Sequence, residues 1–280
     1  MVNRLLKRVM LAAAVAALTV ALVAVPAVSA PAAGSGQETG YLVVLKEHGR
    51  AAGLQAIERA GGRVVKLNKL GIATATSSNL GFSSALGSSG AVEAVGNDGG
   101  WQLQPLSVTQ EPPPVPGPEM AADCAAQYGV AVAVGPDQLS ACQWDMRAIN
   151  ASPAGSYAVN RGAGATIGII DTGVDFTHPD IAPNLDLALS CSFITPGNPT
   201  ALPEEIDPTG AACQTKTATQ DLFGHGTHVA GIAAAPSNGI GVAGVAPQAT
   251  LVSLKVCTAG GFCFTQEVVD ALNLRRRQGP

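Results

Sequence analysis

Asp171 and His225 are the residues of this chain best suited to chemistry. Asp171 closes the run Ile169-Ile170-Asp171-Thr172-Gly173, and His225 lies in Gly224-His225-Gly226-Thr227-His228. A buried carboxylate can accept a hydrogen bond from an imidazole Nδ1–H, fix the tautomer and stabilise the imidazolium that forms when the ring takes a proton. The ring's Nε2 then serves as a general base for a hydroxyl nucleophile. Gly173 opens a backbone shape closed to other residues directly after the carboxylate. Gly224 and Gly226 let the backbone crowd around His225 at a helix start, and Ala230, Gly231, Ala233 and Ala234 let that helix pack closely.

Two other chemistries fit these residues less well. Asp-Thr-Gly also marks enzymes in which two such loops share one proton, but no second Asp-Thr-Gly or Asp-Ser-Gly occurs, so that reading would need a homodimer. His225 and His228 stand one helical turn apart, as zinc ligands can, yet the Glu of a His-Glu-x-x-His motif is missing.

The elements that must position the pair read as an α/β layer. Thr166 to Ile170 is a short β-branched run of the kind found in buried parallel strands. A helix is expected over 229–235, a strand over 251–256 and a helix over 265–274; strands alternating with helices predict a parallel sheet. A separate pattern precedes them: strand 41–45, helix 51–60 stopped by Gly61-Gly62, strands 63–67 and 72–76, a weak helix 80–86 and a strand 92–95. That order is β-α-β-β-α-β, a small α+β ferredoxin-like module. Pro112-Pro113-Pro114-Val115-Pro116-Gly117-Pro118 can form neither helix nor interior strand and reads as an extended linker.

Composition bounds the rest. The 280 residues are 47% hydrophobic and 13% charged with a net charge of −4, which offers no footprint for nucleic acid or an anionic membrane. Arg4, Lys7 and Arg8, the apolar run 10–25 and Val28-Ser29-Ala30 read as a secretory signal over residues 1–30, cleaved near its end, so the mature protein is expected to be extracellular and free of the membrane. An uncleaved anchor is the alternative, because the run is nearly long enough to span. Cys124, Cys142, Cys191, Cys213, Cys257 and Cys263 suit an oxidising compartment; six cysteines allow fifteen pairings, and locality favours 124–142, 191–213 and 257–263.

The segments around Asp171 and His225, with His178-Pro179-Asp180, Ser237-Asn238-Gly239-Ile240-Gly241-Val242 and Gly244-Val245-Ala246-Pro247, resemble the subtilisin-like serine proteases, or subtilases. The resemblance covers about 143–273 and implies a parallel-sheet subtilisin-like catalytic domain, of which residues 143–280 hold the N-terminal part. It makes Asp171 the orienting acid and His225 the general base in hydrolysis of protein or peptide substrates, and His228 a structural residue. It also implies a structural Ca²⁺ held by Asp180, the Asn238 side chain and the carbonyls of Pro236, Ile240 and Val242, with no organic cofactor. By position, residues 40–100 resemble the family's propeptide, an intramolecular inhibitor whose end lies in the active-site cleft, and 101–119 is the linker behind it.

The family's nucleophile segment, Gly-Thr-Ser, is not among the 55 residues after His225, nor is the Asn that supports the oxyanion. The expectation is an endopeptidase precursor whose Ser lies in missing sequence, with the 280 residues by themselves inactive. The alternative is a non-catalytic fragment or a propeptide-type inhibitor of a related protease. Leu274-Arg275-Arg276-Arg277 departs from the family's helix continuation, which suggests a frameshift or a fragmentary gene model. A chain ending there would leave the sheet's apolar face uncovered and is expected to be poorly soluble.

Overall fold

A computed structural model describes residues 38–104, 136–196, 198–207 and 213–274. The expected signal (1–30), most of the linker, Cys124 and the basic tail lie outside the described residues. From Gly40 onward the contacts form one unit.

The first layer follows the order β-α-β-β-α-β. Its elements are β1 (Thr39–Leu45), α1 (Arg50–Arg59), β2 (Gly62–Leu67), β3 (Ile72–Ser77), α2 (Phe82–Gly87) and β4 (Val92–Asn97). The sheet order is β2-β3-β1-β4. Alternation along β1 sends Tyr41, Val43 and Leu45 to the face that α1 and α2 cover, where they meet Ile57, Phe82 and Leu86. Gly61, at φ +83°, ends α1 and turns the chain into β2 with no helical residue to spare. The helix over 80–86, weakened by Ser and Gly, still forms because Phe82 and Leu86 are fully buried on the sheet, and that burial outweighs intrinsic propensity.

One element departs from expectation. Gly100–Gln102, across the expected boundary between the 40–100 module and the 101–119 linker, form a short strand β5. It pairs antiparallel with a strand far along the chain, Gly100 opposite Phe264 and Gln102 opposite Phe262.

The second layer carries Asp171 and His225. It comprises α3 (Trp144–Ala148), α4 (Ser156–Val159), β6 (Thr166–Asp171), β7 (Cys191–Ser192), α5 (His225–Ala234), β8 (Thr250–Lys255), β9 (Phe262–Phe264) and α6 (Thr265–Leu274). The sheet runs β6-β8-β7, and both pairings are parallel, with Asp171 opposite Lys255 and Ser192 opposite Lys255. Ile169, Leu251 and Ala249 pack against Ala230, Ala234 and Ala235 of α5. A helix face made of alanine lets the helix sit close to the sheet. On the other side Val252, Leu254, Val256 and Ala271 form a second core with Cys191, Cys257 and Cys263.

Disulfides join Cys191 to Cys213 and Cys257 to Cys263, the local pairings favoured from the sequence. Cys142 is disulfide-bonded as well. The first bridge ties off a 22-residue excursion and the second closes the turn between β8 and β9. Among the described residues no helix is long and apolar enough to cross a membrane.

Candidate active site

Asp171 ends β6 at the carboxyl edge of the parallel sheet, where open α/β sheets place functional groups. His225 opens α5, four residues before the expected start at 229. His225 Nδ1 lies 2.8 Å from Asp171 Oδ1 and 2.9 Å from Oδ2. Carboxylate oxygens only accept, so Nδ1 is the donor in this contact, and in a neutral ring that arrangement leaves the lone pair on Nε2. The Thr172 N–H donates to Asp171 Oδ1 at 2.7 Å and fixes the carboxylate plane. The Asp171 side chain is 12% exposed and the His225 ring 29%, a buried orienter beneath a reachable base.

Two glycines make that contact possible. A methyl group at Gly226 would lie 2.1 Å from the Gly173 carbonyl oxygen and 3.1 Å from Asp171 Cβ, so α5 could not approach β6 with any side chain there. Gly173 has φ +110°, and a methyl on it would meet the Thr219 carbonyl at 2.6 Å. Gly226→Ala is expected to push α5 off β6 and destabilise the fold by about 2–4 kcal/mol. A urea melt would measure this, and an unchanged midpoint would show that the packing can relax.

Asp221, which the sequence reading passed over, holds both segments. Its Oδ1 accepts from Thr172 Oγ1 (2.9 Å), Phe223 N–H (3.0 Å) and Gly224 N–H (2.8 Å); its Oδ2 accepts from Thr227 N–H (2.8 Å) and Thr227 Oγ1 (2.6 Å). Thr172 Oγ1 in turn accepts the Gly226 N–H at 2.9 Å. Asp221 thus satisfies the free N–H groups at the start of α5 and bolts that start to the residue after Asp171. Burial pushes its carboxyl up, but the donors from Thr227, Gly224 and Phe223 outweigh burial and hold it below the usual carboxylate range. A usable signal was an acid placed just before a helix start.

Lys255 is the second residue missed. It is fully buried at the end of β8, pairs with Glu205 Oε1 at 2.9 Å, and donates to the Thr172 carbonyl oxygen. Burial lowers its pKa, while Glu205, Asp221 and Asp171 pull it back up. A lysine inside the apolar run Leu251-Val252-Ser253-Leu254-Lys255-Val256 was the flag.

The expected Ca²⁺ residues converge in part. Asp180 is buried, with Oδ2 accepting the Val242 N–H at 2.9 Å and Oδ1 without a hydrogen-bond partner. Asn238 lies on the neighbouring loop, and its Oδ1 accepts the Ile240 N–H at 3.0 Å. A buried, orphaned carboxylate oxygen beside a carbonyl-bearing loop is chemistry that suits a hard cation, and Asp180 carries that fit. Pro236, Ile240 and Val242 belong to that same loop. Asp137 braces it, accepting the Asn238 and Gly239 N–H groups at 2.8 Å and Ser237 Oγ at 3.0 Å. Asp137 lies between the expected linker and the resemblance that begins at about 143, and no motif pointed to it. His228 is exposed on α5, and no group of three or more His, Cys, Asp or Glu suited to a metal occurs among the described residues.

An Asp at one strand end of a parallel sheet, in contact with a His at a helix start, is an arrangement in which a carboxylate can orient an imidazole base. Residues 162–279 match the sequence profile of the Subtilase family. Subtilisin Savinase of Lederbergia lenta is 35% identical over 136 residues, 49% of this chain and 41% of that protein. Subtilisin E of Bacillus subtilis (strain 168) is 38% identical over 100 residues, 36% of this chain and 20% of that protein. The chain therefore spans less than half the length of these relatives. The fold is also that of fervidolysin from Fervidobacterium pennivorans, a keratinolytic enzyme related to subtilisin, with TM-score 0.56 and 19% identity over 89% of this chain and 36% of that one. The epidermin leader peptide processing serine protease of Staphylococcus aureus gives TM-score 0.52 at 20% identity over 85% of this chain and 46% of that one.

Proposed function

We propose that this chain is the front part of a secreted serine endopeptidase precursor that cuts protein or peptide substrates. Asp171 orients His225, and His225 takes the proton of a serine hydroxyl as it attacks a peptide carbonyl, then returns it to the leaving amine. The observation that carries this reading is the double contact of His225 Nδ1 with both Asp171 oxygens. The serine is not among these 280 residues, so the natural product would have to gain it from further sequence. Fluorophosphonate labelling of the culture medium tests the reading. A labelled species longer than 280 residues, starting after a signal cut near residue 30, is expected; a medium in which every product of this gene stays unlabelled would refute it.

Residues 40–100 are read as the inhibitory pro-segment. The support is β5, which lies antiparallel on β9, with the Leu103 N–H donating to Gly261 O at 2.9 Å and Gln102 Nε2 to Gly260 O at 3.0 Å. A strand added to a sheet edge is how many extended peptides are held. The same pairing favours the second reading, an inhibitor of a related protease acting in trans. Added to a purified subtilisin, the 280-residue product should then slow casein hydrolysis without being labelled itself.

Asp180 and Asn238 would hold a structural Ca²⁺ with the loop carbonyls, and the ion would add charge neutralisation to that corner of the fold. Millimolar Ca²⁺ is expected to raise Tm by several degrees, and Asp180→Asn to abolish the rise. An equal rise in the variant would place the ion elsewhere.

A further inference from the structure

Asp98 and Glu267 bring two carboxylates from distant parts of the chain to one cavity. The cavity, about 240 Å³, is lined by Asp98, Thr195, Asn198, Phe264 and Glu267 among others. Glu267, on the first turn of α6, is 2% exposed. Its Oε1 accepts from the Thr195 N–H (3.2 Å) and Asn198 Nδ2 (3.0 Å), and its Oε2 has no hydrogen-bond partner. Asp98 follows β4 and accepts the Gln266 N–H through Oδ1 at 3.1 Å. Both therefore sit on the seam where the first layer meets β9 and α6.

The charged groups around Glu267 come from three elements. Asp98 faces it from the turn between β4 and β5, Asp270 lies one turn along α6, and Lys66 of β2 reaches the same seam but pairs with Asp270 at 2.8 Å. The rest of the seam is neutral bonding: Thr74 Oγ1 donates to Gln266 Oε1, and Thr265 donates to the Gly99 carbonyl through N–H (3.1 Å) and Oγ1 (2.6 Å). Two carboxylates in one small space resist ionising together. A metal ion could relieve them, but it would need a ligand set, and among the described residues no group of three or more His, Cys, Asp or Glu could hold one. A proton is the smaller counter-charge and needs no ligand set.

We propose that Asp98 and Glu267 form a proton-dependent latch that holds residues 39–102 on β9 and α6, closed while the pair carries a proton and loosened when both carboxylates ionise. The latch deepens the reading of residues 40–100 as a pro-segment, because it gives that segment a condition for release. Burial is the main force that raises the Glu267 carboxyl to about 7, against the donors from Asn198 and Thr195 and helped by Asp98 and Asp270. Burial also raises Asp98. For an acid raised on docking, the favourable contribution is complete below its usual value of 4.5 and is lost as pH climbs through about 7. Part of the burial of Glu267 comes from Thr195 and Asn198 and persists without the first layer, so the docking equilibrium should weaken by about tenfold to a hundredfold between pH 5 and pH 8.

Amide hydrogen exchange of the whole 280-residue chain tests this, read at Leu103, Thr265 and Gln266, whose N–H groups close the seam. Comparing parent and Glu267→Gln at each pH cancels the intrinsic pH dependence of exchange. Protection at these amides should fall at least tenfold from pH 5 to pH 8 in the parent, relative to a flat Glu267→Gln. The Val256 N–H, bonded to Asp171 O at 2.9 Å within the second layer, should keep its protection in both. Parallel pH courses in parent and variant would overturn the latch. Should Glu267→Gln fold poorly, Asp98→Asn removes the neighbouring charge and should make the course shallower than the parent's, while an unchanged course would equally overturn the latch. Whether residues 40–100 inhibit a protease is read separately in the casein assay, so the latch and the pro-segment reading fail independently.

Discussion

Lys255→Met is expected to destabilise this protein by about 3–5 kcal/mol, the cost of leaving one member of a buried ion pair without its partner. Lys255 is 0% and Glu205 1% exposed at the side chain, so the orphaned Glu205 carboxylate would have no route to water. The double variant Lys255→Met/Glu205→Leu removes both charges and keeps volume close to that of the parent. It should recover most of the loss and end within about 1–2 kcal/mol of the parent, because apolar replacement of a buried pair is often neutral. The residual cost has a named source. Lys255 Nζ also donates to the Thr172 carbonyl, which the methionine leaves unsatisfied in a fully buried place. Urea unfolding of the two variants decides the matter. A double variant as unstable as the single one would shift the cost from Glu205 to that carbonyl, and hence to the backbone beside Asp171.

The consequence reaches the candidate site through one residue. Thr172 gives its carbonyl to Lys255, its hydroxyl to Asp221, its hydroxyl oxygen to the Gly226 N–H and its own N–H to Asp171. Glu205 sits within the excursion closed by Cys191–Cys213, with its backbone carbonyl bonded by Ser192 Oγ at 2.7 Å. The disulfide loop therefore supports the Asp171 strand end from behind.

Much of this frame was legible in the residues. The short apolar runs Tyr41-Leu42-Val43-Val44-Leu45 and 166–170 gave strands because a brief, largely β-branched apolar run bounded by turn residues fits a buried strand. Glycines flanking His225 announced a close approach, and the structure shows what it approaches, the Gly173 carbonyl. Other features were hidden for physical reasons. Gly100-Trp101-Gln102 has little strand propensity, and it is a strand only because β9, some 160 residues later, offers an edge. Asp221, Lys255 and Asp98 act through tertiary partners, and a single sequence carries no record of which distant groups a charge will meet. The Asp98–Glu267 seam in particular joins residues 169 positions apart, where no local pattern could have paired them.

The last expectation concerns catalysis in the longer, serine-bearing product proposed above. His225→Ala should lower kcat by about 10⁶-fold, and Asp171→Asn by about 10⁴-fold; these sizes are those known for the corresponding groups in serine proteases, subtilisin included, and come here by likeness. The geometry explains why a near-isosteric change should cost so much. The Thr172 N–H at 2.7 Å from Oδ1 needs an acceptor, so an asparagine at 171 would keep its oxygen there and turn its NH₂ toward His225. The imidazole would then have to accept at Nδ1 and carry its proton on Nε2, the nitrogen that must be free to act as base. Turnover of a peptide substrate by both variants, with nitrogen NMR of the His225 ring, reads the two effects separately. Loss of turnover with the proton moved to Nε2 is the expected result for Asp171→Asn. Turnover within tenfold of the parent would mean that Asp171 does not orient the base, and the assignment of this pair to peptide hydrolysis would fall.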